Sequence, residues 1–324
     1  MTNNFAYVKA GSLAEATKAL SVKGAWVHAG GTDLVGFARS EILPVEKVVS
    51  ISGLKQLKGI STQPGGGLKI GALTPLVDIA SNTEIATKYG VLGQAAAAVG
   101  SPQIRQQGTI GGTICQKPRC WYYRADIQCC KKGGAKCYAV GGENQYHAIF
   151  GGGPCFFVHP SDVAVALVAL NAQVSITGPS GSKVIKIENF FVSPKTNIDK
   201  ENVLLAGEFV TDIHLPPAAA GTVRSSYRKV TTRQAWDFAL VSVAAVLQIE
   251  GDAVRAARIV LGGVGPYPWR LDAVEKVVIG KKLDAAQAAA AAEAAVTGAM
   301  PLRDNAYKLD MVKGAVEESL IALS

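Results

Sequence analysis

The stretch Ala29-Gly30-Gly31-Thr32-Asp33-Leu34 follows a run of strand character at residues 25–28 and leads into a helical pattern reaching about residue 40. No other local feature restricts the fold as much. Paired glycines at a strand-to-helix junction let successive amides turn inward where a Cβ would clash, and the helix start adds partial positive charge. A phosphate or pyrophosphate suits such a cradle. A second loop, Gly108-Thr109-Ile110-Gly111-Gly112-Thr113, offers more amides and two hydroxyls. Neither loop matches the dinucleotide fingerprint G-x-G-x-x-G or the phosphate loop G-x-x-x-x-G-K, so each alone could be an ordinary tight turn. Two in one α/β unit shift the weight toward a ligand.

The rest of the chain gives these loops a setting. Strand character recurs at residues 5–9, 47–51, 68–71, 173–177 and 184–187, with Pro179-Ser180-Gly181 turning between the last two. Ser12-Leu13-Ala14-Glu15 has capping-box spacing. Thr74-Pro75 offers an N-cap and a first-turn proline for a helix over 75–80, and further helices are expected over 93–99 and 161–170. Residues 101–113 read as loop. Leu215-Pro216-Pro217-Ala218-Ala219-Ala220-Gly221 resembles a linker and separates residues 1–217 from 221–324. Beyond it, strands at 224–230, 239–250 and 253–261, with a Gly251-Asp252 hairpin turn, precede alanine-rich helices over 284–296 and 305–323. No tandem repeat is visible. The fold class is therefore α+β.

With 324 residues and 48% hydrophobic content, the chain can bury the cores of two domains, which excludes a wholly disordered protein. No run approaches the roughly 18–20 apolar residues of a membrane helix. Met1-Thr2-Asn3-Asn4-Phe5 lacks the charged and apolar regions of an export signal, so a cytoplasmic location is expected; export on a partner's signal stays open.

Charge and cysteine coincide. The formal charge is +8, and residues 117–136 hold Lys117, Arg119, Arg124, Lys131, Lys132 and Lys136 against Asp126 alone. Cys120, Cys129, Cys137 and Cys155 are spaced by eight, seven and seventeen residues, with Cys115 and Cys130 left over. Disulfides do not suit a reducing compartment. Structural zinc normally shows two tight C-x2–4-C pairs, which are missing, whereas an iron–sulfur cluster tolerates wider spacing. The basic residues could compensate an anionic cluster, or could belong to a zinc module that binds nucleic acid or an acidic partner. His28, His147, His159 and His214 share no spacing and receive no ligand role.

Residues 29–34, Ile70-Gly71-Ala72-Leu73-Thr74, 108–113, His159-Pro160-Ser161-Asp162, Tyr227-Arg228-Lys229-Val230, residues 237–244 and Gly262-Gly263-Val264-Gly265 with Trp269-Arg270 occur in an order that resembles the FAD-binding medium subunits of the molybdenum hydroxylase (xanthine oxidase) family. That resemblance implies an FAD-binding domain of two α/β subdomains (about 1–55 and 56–217, PCMH-type), then a smaller C-terminal domain of antiparallel sheet plus helices. It also implies roles. Ala29, Gly30, Gly31, Thr32, Asp33 and Leu34, with Thr109, Gly111, Gly112 and Thr113, would cradle the FAD pyrophosphate and ribityl chain. Thr74, Ser101, Ile104 and Arg105 would line the cofactor. Asp162 would accept hydrogen bonds from it, although a helix-start carboxylate is the plainer reading. Lys229 would approach the isoalloxazine ring, with a solvated strand residue as the alternative. Arg233 and Trp236 are weaker expectations.

The cysteine loop, about 115–155, resembles the [4Fe-4S] insertion of the aldehyde oxidoreductase FAD subunit and the 4-hydroxybenzoyl-CoA reductase β subunit. Cys120, Cys137 and Cys155 then match cluster ligands, and alignment on Lys132-Gly133-Gly134 favours Cys129 over Cys130 as the other. The expected partners are a small subunit with two [2Fe-2S] clusters and a large subunit with the molybdenum cofactor, where substrate chemistry would occur; no catalytic residue for substrate is expected in this chain. A self-contained flavoenzyme is the remaining alternative.

Overall fold

A computed structural model describes residues 4–324, so Met1, Thr2 and Asn3 of the export-signal reading lie outside the described residues. Three sheets organise the chain. The first is parallel, with Lys47–Ser50 between Ala6–Lys9 and Ala25–His28. Its crossover helix Leu13–Leu20 begins as its capping residues predict: Ser12 Oγ accepts from the Glu15 amide at 3.1 Å, and the Glu15 carboxylate accepts from the Gly11 amide at 2.8 Å.

The second sheet is antiparallel, in the order Ile60–Gln63, Gly67–Gly71, Phe209–Leu215, Gln173–Gly178, Gly181–Lys186. The sequence reading contains neither Ile60–Gln63 nor Phe209–Leu215. The latter is the central strand, and its partners lie far away in the chain, so local pattern does not announce it. The linker reading begins at its last residue.

The third sheet is an antiparallel meander of Thr222–Val230, Val241–Glu250, Ala253–Gly262 and Trp269–Arg270. Helices Asp272–Val278, Ala285–Ala294 and Lys308–Ile321 cover it, and Val243, Leu247, Ile259 and Leu261 meet Val274, Ala291 and Val316 in one core. Between the second and third sheets runs helix Asp162–Ala169, buried at every position. A helix apolar on all faces must lie between layers, and this one shares a core with Ile176 and Ile213 on one side and Ala244 and Val260 on the other.

Residues 101–113 depart from the loop reading. Ser101 caps a helix over Pro102–Gln107 and Thr109 caps a second over Ile110–Ile114, each hydroxyl accepting an amide three residues on. Five or six residues are too short to show an apolar period, so only the caps signal them. Residues 115–155 form the cysteine insertion, with one helical turn at Trp121–Arg124 and another at Cys130–Lys132.

Candidate functional site

The two glycine loops meet. Gly30 approaches the main chain so closely that a β-carbon there would overlap the Gln107 carbonyl, and one at Gly111 would press on Ala72. Gly31 has φ +72°, a conformation glycine adopts without strain. The result is a cleft of about 160 Å³ walled by Ala29, Gly30, Gly31, Thr32, Asp33, Leu34, Thr109, Gly111 and Gly112. Leu73 of the 70–74 motif also lines it, together with Trp26, Phe37, Lys117 and Phe209, which no quoted motif marks. Main-chain amides, two threonines and apolar walls fit a phosphate-linked cofactor with an aromatic end. The missing β-carbons are the observation that carries this fit.

The other expected flavin residues do not line this cleft. Thr113 lies just behind it, where its hydroxyl meets Ser161 Oγ at 3.3 Å and accepts from Gln116 at 2.8 Å. Thr74 is buried and uses its hydroxyl on Gly59, accepting from the amide at 3.0 Å and donating to the carbonyl at 3.1 Å; Pro75 takes the N-cap position instead. Ser101 serves as a cap, Ile104 follows it in the short helix, and the Arg105 guanidinium donates to the Val99 carbonyl at 2.9 Å.

Asp162 and Lys229 find each other rather than open space. Lys229 Nζ stands 2.8 Å from Asp162 Oδ2 and donates to the Ala98 carbonyl at 3.0 Å, while the Tyr227 hydroxyl donates to Asp162 Oδ1 at 2.6 Å. Burial pushes the Asp162 carboxyl up despite the Lys229 charge, and it pushes the Tyr227 phenol well up. The lysine is therefore neither solvated nor a free cation. Asp162 is also the first residue of its helix, directly after the cap Ser161, whose hydroxyl accepts from the Ala164 amide. His159 beside them is buried: its Nδ1 accepts from the Ser161 amide, so Nε2–H donates to the Ile114 carbonyl at 3.3 Å. Burial pushes its pKa down to about 4.

Asp33 faces the cysteine insertion. It accepts from the Lys117 amide at 2.9 Å, and the Arg119 and Arg124 guanidinium groups each approach Oδ1 at 2.9 Å. Glu201 is a second anchor: Lys117 and Lys131 reach its two oxygens at 2.6 and 2.7 Å. Burial alone would push the Glu201 carboxyl up, yet the two ammonium groups hold it below its ordinary value. Lys117, Arg119, Arg124 and Lys131 thus have protein carboxylates as partners. The expectation that the basic excess compensates an anionic cluster is corrected for these four. They are the cations that dock the insertion on the flavin domain.

Within the insertion the sulfurs of Cys130, Cys137 and Cys155 lie within 4.8 Å of one another. Cys130 takes this position rather than Cys129, because the turn at Cys130–Lys132 directs its sulfur toward the Pro154 carbonyl. Cys129 is buried in an apolar cluster with Phe37 and Tyr123. Cys120 stands apart from the three, its sulfur 3.2 Å from His147 Nε2. A hydrogen bond with Cys155 pulls Cys137 down to about 6, whereas burial raises Cys120 to about 11. Cys137 therefore loses its proton readily whereas Cys120 keeps its own, and a metal centre would take both as thiolates. Three converging sulfurs with a fourth nearby fit an iron–sulfur cluster. Cys115 is half-buried in the lining of the glycine cleft, and desolvation pushes its thiol up to about 12.

His147 is the residue that sequence reasoning missed. Burial and the Lys308 charge push its pKa down to about 4. No spacing rule marks it, because its contact with Cys120 is made only when the insertion folds back. Arg119, Cys120, Trp121, His147, Arg233 and Phe238 line a further cavity of about 360 Å³, while Trp236 is largely exposed.

Comparison with known proteins agrees with this geometry. Residues 3–218 match the family described as the FAD binding domain in molybdopterin dehydrogenase, and residues 225–322 match the CO dehydrogenase flavoprotein C-terminal domain. The chain therefore belongs to the FAD-binding medium subunits of the molybdenum hydroxylase family. It is 35% identical to the aldehyde oxidoreductase FAD-binding subunit PaoB of Escherichia coli (strain K12), over 95% of each chain. It is 32% identical to the glyceraldehyde dehydrogenase medium chain of Sulfolobus acidocaldarius, over 86% of this chain and 83% of that one. Among solved structures, carbon monoxide dehydrogenase from Hydrogenophaga pseudoflava superposes with a TM-score of 0.79 at 25% identity, over 100% of this chain and 98% of that one. The expected fold class, an FAD-binding domain followed by an antiparallel C-terminal domain, stands.

Proposed function

We propose that this chain is the electron-transfer flavoprotein of a multi-subunit molybdenum hydroxylase, holding FAD in the glycine cleft and a [4Fe-4S] cluster in the cysteine insertion. Its partners are a small subunit with two [2Fe-2S] clusters and a large subunit with the molybdenum cofactor. Substrate is transformed in the large subunit, and an external carrier exchanges electrons with this chain. The observation that carries the reading is that the glycine cleft and the cysteine insertion are joined through one residue, Asp33. Asp33 lines the first and is gripped by Arg119 and Arg124, which flank Cys120. FAD supplies exchange of one or two electrons when bound, and a [4Fe-4S] cluster supplies exchange of one.

The chain's own residues bind and exclude. The amides of 29–34 and 109–112 hold the pyrophosphate. Phe37 is shared by the cleft and the Cys129 cluster, an apolar partition that keeps water from the space between. Cys120, Cys130, Cys137 and Cys155 hold the iron.

The test is metal and flavin analysis of the anaerobically purified complex, wild type against Cys130→Ser and Cys129→Ser. Cys130→Ser should lose about four irons per chain and keep its flavin, while Cys129→Ser keeps both. Zinc in place of iron, with no flavin absorbance, would instead favour a structural-zinc module. Turnover by this chain without partners would favour a self-contained flavoenzyme.

A further inference from the structure

The C-terminal domain reaches back to grip the insertion, and the grip centres on His147. Segment 300–308 makes a row of contacts to segment 144–149. The Met300 amide donates to the Ile149 carbonyl at 2.7 Å, the Asp304 amide to Asn144 Oδ1 at 2.8 Å, and the Tyr307 hydroxyl to the Gln145 carbonyl at 2.8 Å. Asn305, fully buried, donates to the His147 carbonyl at 3.1 Å. Lys308, 1% exposed, donates to the same carbonyl at 3.2 Å and to the Gly263 carbonyl at 2.8 Å. Two buried polar side chains from another domain converge on one backbone carbonyl. An ammonium buried against carbonyls alone is costly, so a tether of this kind points to a segment whose placement matters.

What the tether places is the imidazole. His147 is 5% exposed, its Nε2 lies 3.2 Å from Cys120 Sγ, and its Nδ1 is buried with no hydrogen-bond partner among the described residues. The side-chain partner of its ring is thus sulfur. A thiolate bound to iron carries no proton, so the proton in that contact comes from Nε2.

We propose that His147 is a positioning and tuning residue for the cluster: held by Asn305 and Lys308 of the C-terminal domain, it donates a hydrogen bond from Nε2 to the Cys120 sulfur. This rests on the reading of Cys120 as a cluster ligand. Hydrogen bonds to cluster sulfurs disperse their negative charge and raise the reduction potential. The outer partner of a metal ligand is also what fixes the orientation of that ligand. The C-terminal domain, which carries no cysteine, thereby sets an electronic property of a centre held in the insertion.

The experiment is a reductive titration of the purified complex followed by EPR, with iron and flavin measured on the same samples. His147→Phe keeps the ring's bulk and removes the donor. It should retain iron and flavin and shift the cluster midpoint to more negative potential. His147→Gln restores a donor and should move the midpoint back toward wild type. Lys308→Met, which loosens the tether, should shift it the same way as His147→Phe but less. An unchanged midpoint in His147→Phe with iron intact overturns the proposal. So does loss of iron in both His147 variants with flavin retained, which would make the imidazole itself a ligand.

A measurement on the unmutated complex stands apart from any folding defect. With 15N-histidine, pulsed EPR of the reduced cluster should show one weak nitrogen coupling, lost in His147→Gln. No coupling, or the strong coupling of a directly bound nitrogen, overturns the proposal. Wild-type complex with no iron attributable to this chain would mean that the cluster assignment itself has failed, a result visible before any variant is made.

Discussion

In the flavin cleft, closeness is achieved by leaving side chains out. Gly30 meets the Gln107 carbonyl and Gly111 meets Ala72 with nothing between them. In the adjoining insertion the reverse holds. Long cationic side chains reach out of the loop to two carboxylates of the flavin domain, Asp33 and Glu201, and the sulfurs gather behind them. One site is made by subtraction. The other is pinned by ion pairs and should be sensitive to any change that leaves one partner alone. Side by side, they show that a cysteine-bearing insertion can be fastened to a glycine-built cleft through two anchoring carboxylates.

The largest expected effect tests the second half of that contrast. Glu201→Gln leaves Lys117 and the almost fully buried Lys131 without an anion, and stranding a buried charge costs about 3–5 kcal/mol. Urea unfolding of the purified chain should show a loss of that order, with iron released before flavin. The sign of its pH dependence follows from the shift. A carboxyl held below its ordinary value contributes stability that is present at neutral pH and is lost as pH falls through the folded pKa. The wild type should show this acid loss and Glu201→Gln should not. Equal flavin and iron loss at one urea concentration would mean that the two sites are a single unit and the contrast is false.

How much of this was legible beforehand divides along the same line. The glycine loops could be read because a missing Cβ is written in the sequence, and the Ser12 cap could be read because its partner is three residues away. What pairs at a distance was not legible. The central strand Phe209–Leu215 has its neighbours at Gly67–Gly71 and Gln173–Gly178. The basic run was visible as charge, but its partners Asp33 and Glu201 lie 84 residues from Lys117 on either side. Cys129 and Cys130 could not be separated by counting, since the choice depends on which way one turn directs each sulfur. His147 meets Cys120 across 27 residues of loop with no period at all.

A second prediction concerns a buried titratable group packed behind the flavin cleft. His159 has an ordinary pKa of 6.5 that burial depresses to about 4, so the unfolded chain binds a proton in that window that the folded chain does not. Stability is then complete above about pH 6.5 and falls as pH drops toward 4, by roughly 3 kcal/mol in all. Denaturant midpoints measured across this range should slope downward with acid. His159→Gln, which cannot titrate, should remove that part of the slope. A slope left intact would mean that the acid sensitivity arises elsewhere, at His147 or at Glu201.

Smaller still is the effect of filling the gap that makes the cleft. Gly30→Ala forces the two glycine loops apart, and overpacking of this kind costs about 1–3 kcal/mol. The flavin-to-protein ratio after desalting should fall sharply while the iron content of the insertion is retained. Simultaneous loss of iron would show that Asp33 transmits the displacement to Arg119 and Arg124, and would turn two adjacent sites into one coupled site.

The smallest effect isolates a single hydroxyl. Thr109 Oγ1 accepts from the Gly112 amide at 3.2 Å and so fixes the first turn of the helix whose glycines face the cleft. Thr109→Ala removes that cap, worth about 1 kcal/mol, and frees the amide that the cap had satisfied. A freed amide beside a bound pyrophosphate gains a new acceptor, so the loss should show in the flavin-free protein and shrink when FAD is present. Thermal unfolding of Thr109→Ala with and without added FAD measures both quantities. Thr109→Ser keeps the oxygen and should match the wild type in each. A deficit that persists in full with FAD bound would place the pyrophosphate away from the Gly112 amide, and the cleft would then depend on the 29–34 loop alone.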